Sequence, residues 1–221
     1  MRKKAAAFMC VLLFLALLAV VVGCGSSGGT TEEGSTTVSS SASASRENIG
    51  PDGKPLKTLA DFPDGQDGGN VEAVIKTDKG DVVLQFYPEA APVTVASFLH
   101  LARTGFYNGT TFHRVVPGFV AQGGDPKSKD PNAKDVGTGG PGYNLPAEFN
   151  SLKHETGTLA MARSQDPNSG GSQFYICLAP QPSLDGQYTV FGHVVSGMEV
   201  VNAITQGDVI REVTVRPKST G

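Results

Sequence analysis

The sequence predicts a mainly β domain, folded as an antiparallel barrel, in the C-terminal part of a 221-residue chain. Two observations lead there. From residue 71 onward the apolar residues fall in short β-branched and aromatic runs separated by Gly, Pro, Asn and Asp, the pattern of strands joined by turns. Only two stretches in the same region carry helical spacing, too few for a βαβ architecture.

Ahead of the domain the chain reads as an address and a tether. Arg2, Lys3 and Lys4 precede about 18 uncharged apolar residues, positions 5 to 22, ending in Val21-Val22-Gly23-Cys24, the form of a secretory signal. Its last four residues resemble the lipobox of bacterial lipoproteins, in which the cysteine is acylated, as with palmitate, and becomes the first mature residue. Residues 1–23 are therefore expected to be a lipoprotein signal peptide and Cys24 a lipid anchor in the cell membrane. An uncleaved membrane helix is the alternative, at the lower edge of the length that spans a bilayer; Gly-Cys at its outer end favours the anchor. Either places the domain on the extracytoplasmic face. Residues 24–45 are rich in Gly, Ser and Thr and read as a flexible tether, because they hold too little apolar surface to offset chain entropy. In the extended segment 46–70, Leu56, Leu59 and Phe62 are candidates to pack on the domain, which spans residues 71–217.

Inside the domain, residues 71–77 and 82–86 flank Asp78-Lys79-Gly80-Asp81, a hairpin signature. Pro92 opens a helix with Val95, Phe98, Leu99 and Ala102 on one face and Gly105 as its stop. Residues 111–116 read as a strand, Pro117-Gly118 as a turn and residues 119–122 as the returning strand; Phe112, Arg114 and Val116 would share one side. Further strands are expected at 158–162, 173–178, 189–195 and 209–215. A second helix starts where Ser196 and Glu199 have the spacing of a capping box, with Val200, Val201 and Ile204 inward and Gly207 after it.

Composition excludes several functions. The formal charge is −3, and without the leader's three basic residues 15 basic face 21 acidic ones, a balance of −6, which is no nucleic-acid surface. His100, His154 and His193 lack metal-ligand spacing, and His113 is expected to be a packed core histidine facing away from Arg114. Gly137-Thr138-Gly139-Gly140 lacks the Lys-Ser/Thr end of a phosphate loop, and Ser169 and Ser172 lack a nucleophile elbow. With Cys10 in the signal and Cys24 in the anchor, Cys177 has no partner for a disulfide. No cofactor or metal is expected.

Taken alone, the 111–125 hairpin could carry Arg114 and Gln122 as ordinary solvent-side residues. Two further stretches, 161–176 (Met-Ala-Arg-Ser-Gln-Asp-Pro-Asn-Ser-Gly-Gly-Ser-Gln-Phe-Tyr-Ile) and 184–192 (Leu-Asp-Gly-Gln-Tyr-Thr-Val-Phe-Gly), change that reading. With them, residues 71–216 closely resemble the bacterial branch of the cyclophilin family of peptidyl-prolyl cis/trans isomerases. The resemblance implies a closed eight-stranded barrel with a helix over each open end, and action as a monomer on X-Pro bonds of proline-containing polypeptides. It implies that Arg114 stabilises the twisted amide, that Phe119, Val120, Tyr175 and Leu184 surround the proline ring, and that Gln122 orients the arginine. It assigns Gln173 and Gly137 to the groove, and the Ala162-Arg163-Ser164 backbone to pairing with the substrate. The chain departs from the family at Ser183, where many members have tryptophan, which implies weaker binding of cyclosporin-type ligands. Tyr188 stands for histidine, Arg163 for asparagine, Tyr175 for phenylalanine and Val120 for methionine. Two functions fit: an isomerase, or a proline-peptide-binding chaperone or scaffold without turnover; intact Arg114, Phe119 and Gln122 favour the isomerase.

Overall fold

A computed structural model describes residues 49–218. The signal, Cys24 and the tether fall outside the described residues. Among those described, eight strands form one antiparallel sheet: β1 Val71–Thr77, β2 Gly80–Phe86, β3 Arg114–Val116, β4 Val120–Gly123, β5 Thr158–Met161, β6 Phe174–Cys177, β7 Val190–Ser196 and β8 Ile210–Pro217. Their spatial order is β3-β4-β6-β5-β7-β2-β1-β8. Two α-helices accompany them, α1 Pro92–Arg103 and α2 Met198–Ala203.

The expected closure of the barrel is not found. The sheet curls but stays open between its edge strands β3 and β8; among the described residues, one isolated bridge, Thr111 to Val209, and the backbone hydrogen bonds around it join residues 109–112 to 207–210. The reason is local: β3 is only three residues long, and the backbone just ahead of it, residues 109–112, bonds to residues 207–210 at and before the start of β8 rather than along it. The short β3 also corrects the expected face sharing. Phe112 precedes the strand and is fully buried in the main core, while Arg114 and Val116 are exposed.

Helix α1 forms as expected, with Pro92 in its first turn, Val95, Phe98, Leu99 and Ala102 buried, and Gly105 at φ +70° after its end. Its N-terminal cap comes from far along the chain: the Glu148 carboxylate accepts from Val93 N at 2.9 Å and Thr94 N at 2.8 Å, satisfying two donors that a helix start leaves open. The capping box expected for α2 is absent, because Ser196 is the last residue of β7. Gly197 at φ +89° is the N-cap instead, and a Cβ there would collide with the Asp81 carbonyl. Val200, Val201 and Ile204 are buried as expected.

Phe98 centres the core inside the curl, its ring 5.5 Å from Phe86, 5.0 Å from Tyr107, 5.6 Å from Phe174 and 5.5 Å from Phe191. The sheet also buries apolar side chains on its other face. Along β6, Phe174 and Ile176 enter the main core, while Tyr175 and Cys177 join Val120, Ala160 and Val190 in a second cluster outside it. That second face carries the groove.

The segment before β1 docks on the domain. Phe62 is 2% exposed, with its ring 5.5 Å from Tyr143 and 5.7 Å from His100, and Leu59 packs beside the same core; Leu56 is half-buried. Gly65 lies so close to α1 that a Cβ would strike the Ala96 carbonyl. Lys57 N donates to Asn144 O at 2.9 Å and Asn144 N to Pro55 O at 2.8 Å, a short splice between this segment and the 141–145 loop. Truncating a buried phenylalanine removes its transfer free energy and leaves a cavity, so Phe62→Ala is expected to lower the stability of the domain by about 3 kcal/mol, read as the shift in a urea unfolding curve.

Candidate active site

Strand register assembles the site. Arg114 lies directly opposite Gln122, Gln122 opposite Tyr175, and Tyr175 opposite Ala160, across β3, β4, β6 and β5. Residues opposed in an antiparallel ladder put their side chains on the same face, so this row lies outside the main core. The Pro117-Gly118 turn, with Gly118 at φ +71° and Phe119 N bonded to Val116 O at 3.0 Å, brings Phe119 back beside the row. The Arg114 guanidinium sits 5.6 Å from the centre of the Phe119 ring, an exposed cation held on the edge of an apolar hollow.

The hollow has a volume of about 330 Å³. Arg114, Phe119, Val120 and Gln122 line one side, and Leu184 and Tyr188, from the loop between β6 and β7, line another. Tyr175 is buried there, and burial pushes its phenol above the usual range. Ala162 and Arg163 complete the lining, and the Arg163 guanidinium lies 4.7 Å from the Tyr188 ring centre while its Nε donates to Gln187 O at 3.0 Å. Arg163 thereby ties the edge after β5 to the 182–188 loop.

A second hollow of about 490 Å³ continues from the first, sharing Gln122, Ala162 and Arg163 with it. Gly137, Ser164 and Gln173 line it, and so do Pro51, Asp52 and Lys54 of the N-terminal segment. A polar chain divides the two. Gln122 Nε2 donates to Gln173 Oε1 at 3.0 Å, and Gln173 Nε2 donates to the carbonyls of Gly137 at 3.0 Å and Gly139 at 2.9 Å. The loop bearing those carbonyls is held by Asp125, fully buried, whose carboxylate accepts from Lys127 N at 2.8 Å, from Gly139 N at 3.2 Å and from Gly137 N. Gly137 has φ +98°, a conformation that favours glycine.

Every groove residue expected from the sequence, from Arg114 to Tyr188, lies in this trough, while Cys24 is outside the described residues. The backbone edge is narrower than expected. Ala162 N donates to Gln173 O at 2.9 Å and Ser164 N to Ser169 Oγ at 2.8 Å, which leaves Arg163 as the residue of that edge whose backbone groups are unbonded among the described residues. Asp125, Asn144 and the groove-lining Pro51, Asp52 and Lys54 carry no signal in the sequence, because their parts depend on long-range contacts rather than on a motif. No group of three or more His, Cys, Asp or Glu side chains suited to a metal occurs among the described residues.

His113 differs from the expected core histidine. It is half-buried, yet both ring nitrogens are shielded from solvent without a hydrogen-bond partner among the described residues. Burial lowers its pKa, partly opposed by the Asp125 carboxylate. His193 is lowered by burial alone.

Residues 73–220 match the family model described as cyclophilin type peptidyl-prolyl cis-trans isomerase/CLD. The chain is 47% identical over 146 residues to a peptidyl-prolyl cis-trans isomerase of Synechococcus elongatus, an alignment covering 65% of this chain and 95% of that protein. It is 50% identical over 140 residues to peptidyl-prolyl cis-trans isomerase B of Bacillus subtilis, covering 62% and 92%. Among solved structures, a cyclophilin type peptidyl-prolyl cis-trans isomerase of Cryptosporidium parvum is 28% identical with a TM-score of 0.59, covering 67% of this chain and 98% of that one. A second structure of that protein, in the presence of the dipeptide Ala-Pro, is 30% identical with a TM-score of 0.57, covering 67% and 99%.

Two histidines that stay neutral more readily in the folded state than in the unfolded one give stability a definite sign with pH. The unfolded chain takes up protons first, so their contribution is complete above the ordinary histidine pKa and is lost as pH falls through it. The His113 ring is expected to titrate below 6.5 in NMR spectra. The urea midpoint of the domain is expected to fall between about pH 7.5 and 5.5, and to fall less in a His113→Gln, His193→Gln double variant.

Proposed function

The chain belongs to the cyclophilin-type peptidyl-prolyl cis-trans isomerases and has that activity, and from this premise we propose how it acts: Arg114 stabilises the twisted amide of X-Pro bonds in proteins folding outside the cytoplasmic membrane. The observation that carries the mechanism is the Arg114 guanidinium beside the Phe119 ring, at the rim of an apolar hollow and directly across the ladder from Gln122.

Rotation about X-Pro is slow because amide resonance must be broken, at a cost of about 18–20 kcal/mol. No covalent bond is made or broken, so a catalyst needs only to hold the twisted amide better than either planar form. Twisting returns a lone pair to the prolyl nitrogen. A guanidinium, permanently charged and rich in donors, aimed at that nitrogen favours the twisted state and leaves the planar states as they were. The proline ring lies among Phe119, Val120, Tyr175, Leu184 and Tyr188, where apolar contact fixes it while the preceding residue turns. Gln122, itself held by Gln173, reaches the substrate carbonyl. The peptide ahead of proline runs along Ala162, Arg163 and Ser164 toward Gly137, pairing through the Arg163 backbone.

The extracytoplasmic setting rests on the basic start, the uncharged apolar run and the Gly23-Cys24 end of the leader. Acyl chains on Cys24 hold the protein at the membrane by burying methylenes, at about 0.8 kcal/mol each, and stable anchoring takes two signals. Proline isomerisation takes tens of seconds unaided and can limit folding, so an anchored isomerase would meet its substrates as they emerge.

Exchange NMR on an Ala-Pro peptide is expected to show accelerated isomerisation by the domain, and Arg114→Ala to lower kcat by about 100-fold, the scale of losing one fixed donor to developing charge. The variant is expected to keep its unfolding curve, and a rate equal to that of the unmodified protein would overturn the role of Arg114. Cys24→Ser is expected to stall processing or move the protein from the membrane to the soluble fraction; unchanged fractionation and mass would remove the lipid anchor.

A further inference from the structure

Tyr175, on the groove face of β6, gives its hydroxyl to the protein rather than to the groove. Its oxygen lies 3.1 Å from His154 Nε2, and His154 Nδ1 lies 3.1 Å from an Asp185 carboxylate oxygen. His154 is 1% exposed and Tyr175 5%, so the bond between them forms away from competing water, while the Asp185 carboxylate is partly exposed. The backbone N–H of His154 donates to the same Asp185 oxygen at 2.9 Å, and Lys153 Nζ sits 3.1 Å from the other. The His154 carbonyl accepts from Gln181 N at 2.7 Å, a further bond to the chain that leads into the wall loop.

The protons follow from the chemistry of the three groups. The His154 N–H donors, backbone first and ring second, hold the Asp185 carboxyl down to about 2, so it is ionised and can only accept. The ring nitrogen facing it must then carry the hydrogen, and in a neutral imidazole the far nitrogen becomes an acceptor. With the imidazole neutral, the phenol of Tyr175 donates to that acceptor. One carboxylate thus selects the histidine tautomer, and the tautomer selects the direction of the tyrosine hydroxyl.

The three groups sit on different parts of the pocket. Tyr175 is its floor, and Asp185 directly follows Leu184, in the loop that also bears Tyr188. The Tyr188 ring stands edge-on to Tyr175 at 5.8 Å and 83°, and its centre is 6.4 Å from that of His154. We propose that His154 is a positioning residue for the proline pocket: its neutral ring, protonated at Nδ1, couples the Tyr175 floor to the 182–188 wall and sets the width of the pocket between them. This rests on the hollow being the proline site. The floor touches the proline ring alike in planar and twisted states, so loosening it raises KM and spares kcat, unlike a change at Arg114.

His154→Asn keeps a polar atom where Nδ1 meets Asp185 and removes the acceptor for Tyr175; Tyr175→Phe removes the hydroxyl and keeps the ring. Each is expected to raise KM for an Ala-Pro peptide roughly three- to tenfold, the range of one hydrogen bond of ordinary net worth, with kcat held within about twofold. The double variant is expected to match the worse single one, since both cut the same bond. Imidazole ¹⁵N shifts of the unmodified protein are expected to show His154 neutral and protonated at Nδ1. A double variant whose loss equals the product of the single losses, or a neutral ring protonated at Nε2, would overturn the coupling. Should the substitution at 154 unfold the domain, the ¹⁵N assignment decides alone. Isomerisation by the unmodified protein is measured in the same series, so failure of the coupling stays separate from failure of the proline-site reading.

Discussion

The registered pairing of β3, β4 and β6 is the constraint on which the site depends. Because side chains alternate across a strand, slipping β4 by one residue would turn Val120 and Gln122 into the core and Ala121 out to the groove. The core forbids that slip. Ala121, Phe174 and Ile176 are fully buried on the inner face, and the ladder that seats them there sets Arg114, Gln122 and Tyr175 in line on the outer one. The Pro117-Gly118 turn fixes the other end, since it holds three residues of β3 against β4. The same packing that stabilises the sheet therefore aims the arginine.

Polar groups next to this apolar trough are held by long bonded chains, and the physics of burial explains why. A buried carboxylate without partners is costly, so Asp125 persists only because Lys127, Gly137 and Gly139 bring N–H groups to it. Satisfying Asp125 shapes the loop whose carbonyls hold Gln173, and Gln173 in turn orients Gln122. On the opposite wall, Asp185 and His154 do the same for Tyr175. Each wall is set by an acid that does not line the groove, and each acid is satisfied partly by backbone, which keeps the geometry from depending on mobile side-chain ends.

Local pattern made much of this legible. Alternation and turn residues located all eight strands and both helices, because each is written within a few consecutive positions. The groove residues, Gly137 apart, lie in three stretches whose order and spacing match a known family. What sequence pattern missed is long-range. Glu148 caps α1 from more than fifty positions away, a bond that no capping motif around Pro92 encodes. Ser196 and Glu199 had the spacing of a capping box, but pairing with β2 drew Ser196 into β7, a tertiary override of a local signal. Closure failed as an expectation for a similar reason: residues 111–113 look like strand by composition, yet bond to the neighbouring chain only around a single bridge. His154 lacks metal-ligand spacing, and nothing nearby in sequence points to Tyr175.

The N-terminal segment shows that the folded unit is larger than the stretch the family model matches. The family match begins at residue 73, yet Phe62 is as buried as the core inside the sheet, and Gly65 touches the backbone of α1. Burying that phenylalanine removes apolar surface from water at about 25 cal/mol per Å², enough to offset the entropy of ordering only a few residues. The remaining order has to come from directional bonds, and these are present: Pro55 and Lys57 spliced to Asn144, Asp67 on Arg103, and Asp64 on His100. Once Asn144 is engaged, Pro51, Asp52 and Lys54 are carried to the rim of the second hollow. A segment ordered by contacts with α1 and the 141–145 loop thus becomes part of the groove wall, so differences ahead of residue 73 can alter what the groove accepts without any change within the stretch the family model matches.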